Sequence, residues 1–213
     1  MKTLSSFLRL ALSAATIGAA LISAPAFAGP LFTVNEGSVP GTAANLVVAD
    51  RISFEYHARV EQTIVGGLGG GNDPFTQTGF LSKAAFGSPT GGSVPSQLNA
   101  LNGYGIYGLF SITGQSDTLA GGIFATFQTL TMTLYIDPNQ DTSLSVSNVA
   151  GSPVNVGGVS GDDYAIVTYT LDVGEAHIFA GLAQGDFKAL LNATLTPPGQ
   201  LFFVNPDPFF PLE

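Results

Sequence analysis

The stretch "LYIDPNQDTSL", residues 134–144, sets three oxygen-bearing side chains at alternate positions: Asp137, Asn139 and Asp141. Side chains so spaced can fold inward around a hard cation such as calcium, which takes about six to eight oxygen ligands. The EF-hand pattern then breaks off. Its sixth position holds Thr142 in place of the turn glycine, and its twelfth holds Asn148 in place of the bidentate glutamate. A calcium site of another kind would need more oxygens, and Asp162 and Asp163 in "GDDYAI" are the obvious donors. The competing reading is a turn, because Asp-Pro followed by Asn and Asp is ordinary Asx chemistry, with side chains capping backbone amides. Calcium is the one cofactor these residues suggest.

Other reactive constellations do not assemble. The two histidines, His57 and His177, lie far apart with no H-E-x-x-H spacing. A serine nucleophile would need G-x-S-x-G, and "GGVSGDD" breaks that pattern at Asp162. The glycines of "VGGLGGGNDP" are followed by no Lys-Ser/Thr pair, so they form no phosphate loop, and they lack the aspartate repeat of a calcium β-roll. A surface loop is the expectation there. Two carboxylates meeting across a cleft could still hydrolyse a glycoside, and spacing in sequence does not test this. No catalytic residue is nominated, and the chain is read as non-enzymatic.

The elements that would carry these residues are strands. In "RISFEYHARV", Ile52, Phe54, Tyr56, Ala58 and Val60 alternate with Ser53, Glu55, His57 and Arg59, which is the period of a half-buried antiparallel strand. "TLTMTLYI" sets Leu130, Met132, Leu134 and Ile136 against Thr129, Thr131, Thr133 and Tyr135. "YAIVTYTL" (164–171) is a β-branched and aromatic run, and "YGIYGLFSIT" (104–113), apolar on both faces, reads as a central strand. Gly/Pro clusters at 66–74, 87–95, 137–141 and 157–163 separate the runs. Short helices are expected at "SQLNALN" (96–102) and "TAANLVVAD" (42–50). The fold class is therefore all-β, an antiparallel, jelly-roll-like β-sandwich with long Gly/Pro-rich loops and one or two short helices. Residues 29–213 are expected to form one domain, with no linker or internal repeat. Ile52, Phe54, Tyr56, Leu130, Leu134, Ile136, Val167 and Tyr169 are expected in its core, with Glu55, His57 and Arg59 exposed.

Composition narrows the function class. "MKTLSSFLRLALSAATIGAALISAPAFA" has the charged, apolar, A-x-A order of a secretory signal peptide, so residues 1–28 are expected to be removed and the mature chain to begin at Gly29. Lys2 and Arg9 leave with it, taking the formal charge from −9 to −11. Such a surface repels nucleic acid and anionic membranes. There is no cysteine, which excludes zinc fingers, iron–sulfur clusters and thiol nucleophiles.

Several motifs occur in a telling order: "PLFTVNEGSVPGTAANLVVADRI", "YGIYGLFSITG", "LYIDPNQDT", "GDDYAI" and "PPGQLFFVNPDPFF". Together they resemble the flocculation-associated PEP-CTERM proteins of Gram-negative, exopolysaccharide-producing bacteria, over most of the mature chain. The resemblance implies a secreted, non-enzymatic surface or extracellular matrix protein that promotes flocculation or biofilm cohesion. It implies polysaccharide or other surface proteins as partners and no catalytic residues to transfer, while the sequence itself leads to the expectation of no membrane span in the mature chain. Family members end in a Pro-Glu-Pro sorting motif, an apolar stretch and a basic cluster, which "PDPFFPLE" does not contain, so anchoring is not part of the expectation. Two alternatives stand beside it. One is a carbohydrate-binding module using Tyr104, Tyr107, Tyr135 or Tyr169 as stacking platforms, with core packing as the competing fate of those rings. The other is an exported hydrolase. A row of exposed aromatics would mark the first, a cleft with two close carboxylates the second, and a flat acidic surface the matrix protein.

Overall fold

The alternating runs form long antiparallel strands in a computed structural model that describes residues 30–65, 71–88, 91–92, 94–119, 122–179 and 185–207. The expected signal peptide, its cleavage point and glycines 66–67 and 69–70 lie outside the described residues. In chain order the elements are β1 (Phe32–Asn35), a 3₁₀ turn (Glu36–Ser38), β2 (Leu46–Ala49), β3 (Arg51–Gln62), β4 (Asp73–Gly87), β5 (Gly105–Leu119) and β6 (Gly122–Asp137). There follow β7 (Thr142–Val146), β8 (Val154–Gly158), β9 (Tyr164–Phe179), β10 (Gly185–Leu195), α1 (Pro197–Phe202) and β11 (Phe203–Asn205).

Six strands make the main sheet in the order β10-β9-β6-β5-β4-β3, and β11-β1-β2 make a small second sheet. All pairings between these strands are antiparallel. The fold is thus all-β and sandwich-like, as the periodicity requires. Its connectivity is a meander of sequence neighbours, interrupted only by the β7–β8 hairpin between β6 and β9, and lacks the crossing connections of a jelly roll. β5 is central, in keeping with its two apolar faces.

The even-numbered residues of β3, β5 and the second half of β6 face inward. The small sheet and α1 cover one end of this inner face. There Phe32, Val34, Val47, Ala49, Tyr104, Ile136, Ile166 and Phe202 form a core with Phe86 and Leu134. At the other end Phe75, Phe110, Ile112, Phe127 and Leu130 form a second cluster, and Leu81, Met132 and Leu191 touch both. Among the described residues no second sheet covers this part. The main sheet curls, so that Tyr56 and Phe187, from its two opposite edges, stand with ring centroids 6.2 Å apart. Gly174 lets Phe127 settle against β9, since a Cβ there would lie 2.5 Å from Phe127 Cδ2.

Several expectations are corrected. Residues 96–102 form turns around a Leu98–Tyr104 bridge, and 42–50 contain β2, because pairing with β1 satisfies the Leu46–Ala49 backbone and buries Val47 and Ala49. The helices sit instead at 36–38 and 197–202, the latter started by Thr196, whose Oγ1 accepts from the Gly199 amide (3.1 Å), and by Pro197 in the first turn. Leu130, Leu134, Ile136, Val167 and Tyr169 are core residues as expected. On β3 the predicted faces hold but the burial does not. Ile52 and Phe54 are only half-buried and Tyr56 is 47% exposed, because β3 is an edge strand with a neighbour on one side only. His57 and Arg59 are half-buried rather than exposed: His57 stacks on Phe80 (centroids 4.6 Å), and the β7–β8 hairpin covers Arg59.

Candidate functional site

Three features carry polar chemistry, and the first is the loop between β6 and β7. Asp137 ends β6 almost fully buried, and its carboxylate accepts from the amides of Asn139 (3.3 Å), Asp141 (3.3 Å) and Thr142 (3.1 Å). Gln140 takes the left-handed conformation (φ 56°), which closes the turn. Asp137 therefore acts as the Asx cap of this loop. Asn139 Nδ2 donates to Asp162 Oδ2 (2.5 Å), so the structure does bring "DPNQD" and "GDD" together. Asp163 Oδ2 accepts from Tyr107 (2.8 Å) and Thr142 (2.6 Å), while its Oδ1 is buried without a partner. Burial, then the charges of Asp162, Asp137 and Asp163, hold the Asp141 carboxyl above its ordinary value. Its charged form is thus disfavoured in the fold, a penalty that is absent at acid pH and grows as pH rises through the raised pKa.

Among the described residues no three His, Cys, Asp or Glu side chains form a metal-binding group. The oxygens that calcium would need from Asp137 are already occupied by backbone amides. Thermal unfolding in chelator and in millimolar calcium is accordingly expected to coincide. A calcium-dependent rise, removed by combining Asp141→Asn with Asp162→Asn, would instead establish a cation site at this loop; at a hundredfold excess over the dissociation constant it would amount to about 2.7 kcal/mol.

The tyrosines considered as sugar platforms are not available as such. Tyr104, Tyr107 and Tyr169 are buried, and Tyr135 is half-buried and stacked on Tyr107 (centroids 5.1 Å, 11° between planes). Tyr56 and Phe187 emerge where the two edges of the sheet approach, and so do Phe124 and Phe179, both packed on His177. Sequence periodicity did not single these out as exposed.

The second feature is the outer face of the main sheet. Across it, register sets Thr78, Ser111, Thr131, Thr170 and Asn192 side by side on five successive strands. The neighbouring row is Leu109, Thr133, Thr168 and Thr194. The β7–β8 hairpin lies over part of this face. Arg59 holds it there, donating from Nη1 to the Ser147 carbonyl (2.6 Å) and from Nη2 to the Ser152 carbonyl (2.7 Å). Glu61 completes the latch, pairing with Arg59 (2.7 Å) and accepting from the Gly151 amide (2.8 Å). Between hairpin and sheet runs an open groove of about 310 Å³, with Thr78, Ser111, Thr131 and Thr133 on its floor and Pro153 and Val154 on its roof. Hydroxyls both donate and accept, so such a floor can satisfy a polyol.

The third feature is structural. Glu36, fully buried, accepts from Asn45 Nδ2 (2.6 Å), Ser96 Oγ, the Gln97 amide (2.9 Å) and Tyr104 Oη (3.0 Å). Burial alone would raise its pKa; these donors outweigh burial and hold it below the ordinary 4.5. Nothing in "VNEGS" marks the glutamate in sequence, since its donors lie about 9 to 68 residues away. No helix among the described residues is long and apolar enough to cross a membrane. No family model matches the chain, and comparison with curated proteins and with solved structures found no match.

Proposed function

We propose that this is a secreted, non-enzymatic matrix or surface protein that promotes flocculation or biofilm cohesion through shallow, repeated contacts with extracellular polysaccharide and other surface proteins. The observation that carries this reading is the pair of uncharged, largely hydroxyl-bearing rows across the outer face of the main sheet, on a chain whose net charge is −9. Such rows offer many weak hydrogen bonds along a polymer, which multiply through avidity when many copies and many repeats meet. The ordered motifs that resemble flocculation-associated PEP-CTERM proteins support the same reading. Of the neighbouring carboxylates, Asp141 and Asp162 are exposed, where water would compete with any reacting sugar, and Asp163 is half-buried and engaged by Tyr107 and Thr142, so they lend a hydrolase little support.

The test is deletion of the gene in its host with complementation. The expected result is dispersed or weakened flocs, restored by the gene, with the protein recovered outside the cytoplasm and beginning Gly-Pro-Leu-Phe. Normal flocs from the deletion strain, or an intact N-terminus found only in the cytoplasm, would reject the reading.

A further inference from the structure

The geometry points to the groove beneath the β7–β8 hairpin as the binding site for a neutral polysaccharide chain, lying across the strands of the main sheet. This inference rests on the polysaccharide-contacting reading above and names its site and ligand class. Neighbouring strands are about 4.8 Å apart, so the row Thr78, Ser111, Thr131, Thr170, Asn192 offers a polar side chain at each such step. That repeat is comparable with the length of one pyranose unit in an extended chain, which lets successive sugars meet equivalent partners. The second row, Thr133, Thr168 and Thr194, doubles the contact on one side.

The walls suit the other half of a sugar's chemistry. Leu109 on the floor and Pro153 and Val154 on the roof present apolar surface to the C–H faces of a ring, while the hydroxyl rows meet its equatorial oxygens. A groove of this volume falls at the small end of ligand sites, and it is open, so a polymer can pass through instead of entering by its end. Charge decides between polymers. The two rows carry no ionisable side chain, Arg59 at the margin is already engaged by Ser147, Ser152 and Glu61, and the molecule as a whole is strongly acidic. A uronic-acid polymer would find no counter-charge and a repulsive field. A neutral one meets only hydrogen-bonding groups.

The latch makes the roof a distinct element that can be altered without touching the sheet. Migration of the purified chain is therefore compared in native gels containing hydroxyethyl cellulose, galactomannan or alginate. Four proteins are used: wild type, Thr131→Val with Thr133→Val, Pro153→Glu, and Thr126→Val as a control on the same face beyond the groove. The threonine changes keep shape and strand preference while removing hydroxyls, and Pro153→Glu introduces charge from the exposed roof, so the two probes fail to fold for different reasons if they fail at all. The expected result is retardation of wild type by a neutral polymer and not by alginate, at least tenfold weaker in both groove variants and unchanged in Thr126→Val. Groove variants that bind as wild type does, or an equal loss in Thr126→Val, overturn the groove while leaving a polysaccharide-contacting protein intact. Retardation by alginate alone overturns the choice of a neutral ligand. If no polymer retards wild type, the groove proposal fails, and the floc phenotype of the deletion strain separately decides whether the wider reading survives.

Discussion

Replacing Glu36 with alanine is expected to destabilise the protein by about 3–5 kcal/mol, measured by denaturant unfolding at neutral pH. The carboxylate joins three separate pieces of chain: the 3₁₀ turn that carries it, Asn45 ahead of β2, and the 96–104 segment with Ser96, Gln97 and Tyr104. Without it, the Tyr104 hydroxyl and the Gln97 amide are left with no acceptor in a region where Tyr104 is fully buried. Each stranded donor then bears its desolvation cost, which exceeds the net worth of the bond that was lost. Burial and the Glu36 charge raise the Tyr104 pKa, so the phenol remains protonated and in need of that acceptor.

The same site predicts an acid limb. Because the folded-state pKa of Glu36 lies below 4.5, its contribution is present above that value and is lost as pH falls through the lowered pKa. Glu36→Gln should flatten this limb, since the amide does not titrate, while being less stable than wild type at neutral pH because its NH₂ faces donors. An acid limb as steep in Glu36→Gln as in wild type would show that the loss arises elsewhere.

Truncating Phe202 to alanine should cost about 3–5 kcal/mol, a fall of roughly 10 °C in the melting temperature. Phe202 is wholly buried where α1 meets both sheets, edge-on to Tyr104 (5.9 Å) and Phe203 (5.1 Å). Its surroundings are poorly able to collapse into the gap. Thr196 Oγ1 ties the helix start to the Ala165 carbonyl (2.6 Å), and Gly199 lies so near β9 that a Cβ there would be 1.8 Å from the Ile166 carbonyl oxygen. Phe54→Ala removes the same side chain from an edge strand where it is half-buried, so its cost should be clearly smaller. Glu55→Ala should be close to neutral, since its partner Lys83 is a solvated surface pair at 2.9 Å. Equal losses from Phe54→Ala and Phe202→Ala would mean that β3 is more enclosed than its position implies.

What could be read from sequence was whatever depends on neighbours along the chain. Alternation fixed the inner and outer faces of β3 and β6, the two-sided apolar run placed β5 at the centre, and Asp-Pro with Asn and Asp marked the turn after β6. Composition marks "GDD" as a source of oxygens for a cation, but its contact with "DPNQD" follows from the pairing of β6 with β9, which the sequence does not announce. Helix positions are not legible in the sequence for a physical reason. "NLVVAD" is compatible with either state, and only pairing with β1, and hence the location of a sheet that the sequence does not announce, selects the strand.

Tertiary structure alone decided the rest. A period of two says which side of a strand is apolar, but whether that side is covered depends on whether the strand is central or at an edge, which explains Tyr56. The hydroxyls of Thr78, Ser111, Thr131 and Thr170 are scattered over more than ninety residues and become a row only through register. Arg59 reads as a surface charge in sequence and is a latch because the hairpin folds back over it. Glu36 reads as one acid among fifteen and is a buried hub because its donors converge from long range. Local sequence sets side-chain periodicity through backbone geometry, whereas burial, register and convergence are properties of pairs distant along the chain, and only the closed fold brings those pairs into contact.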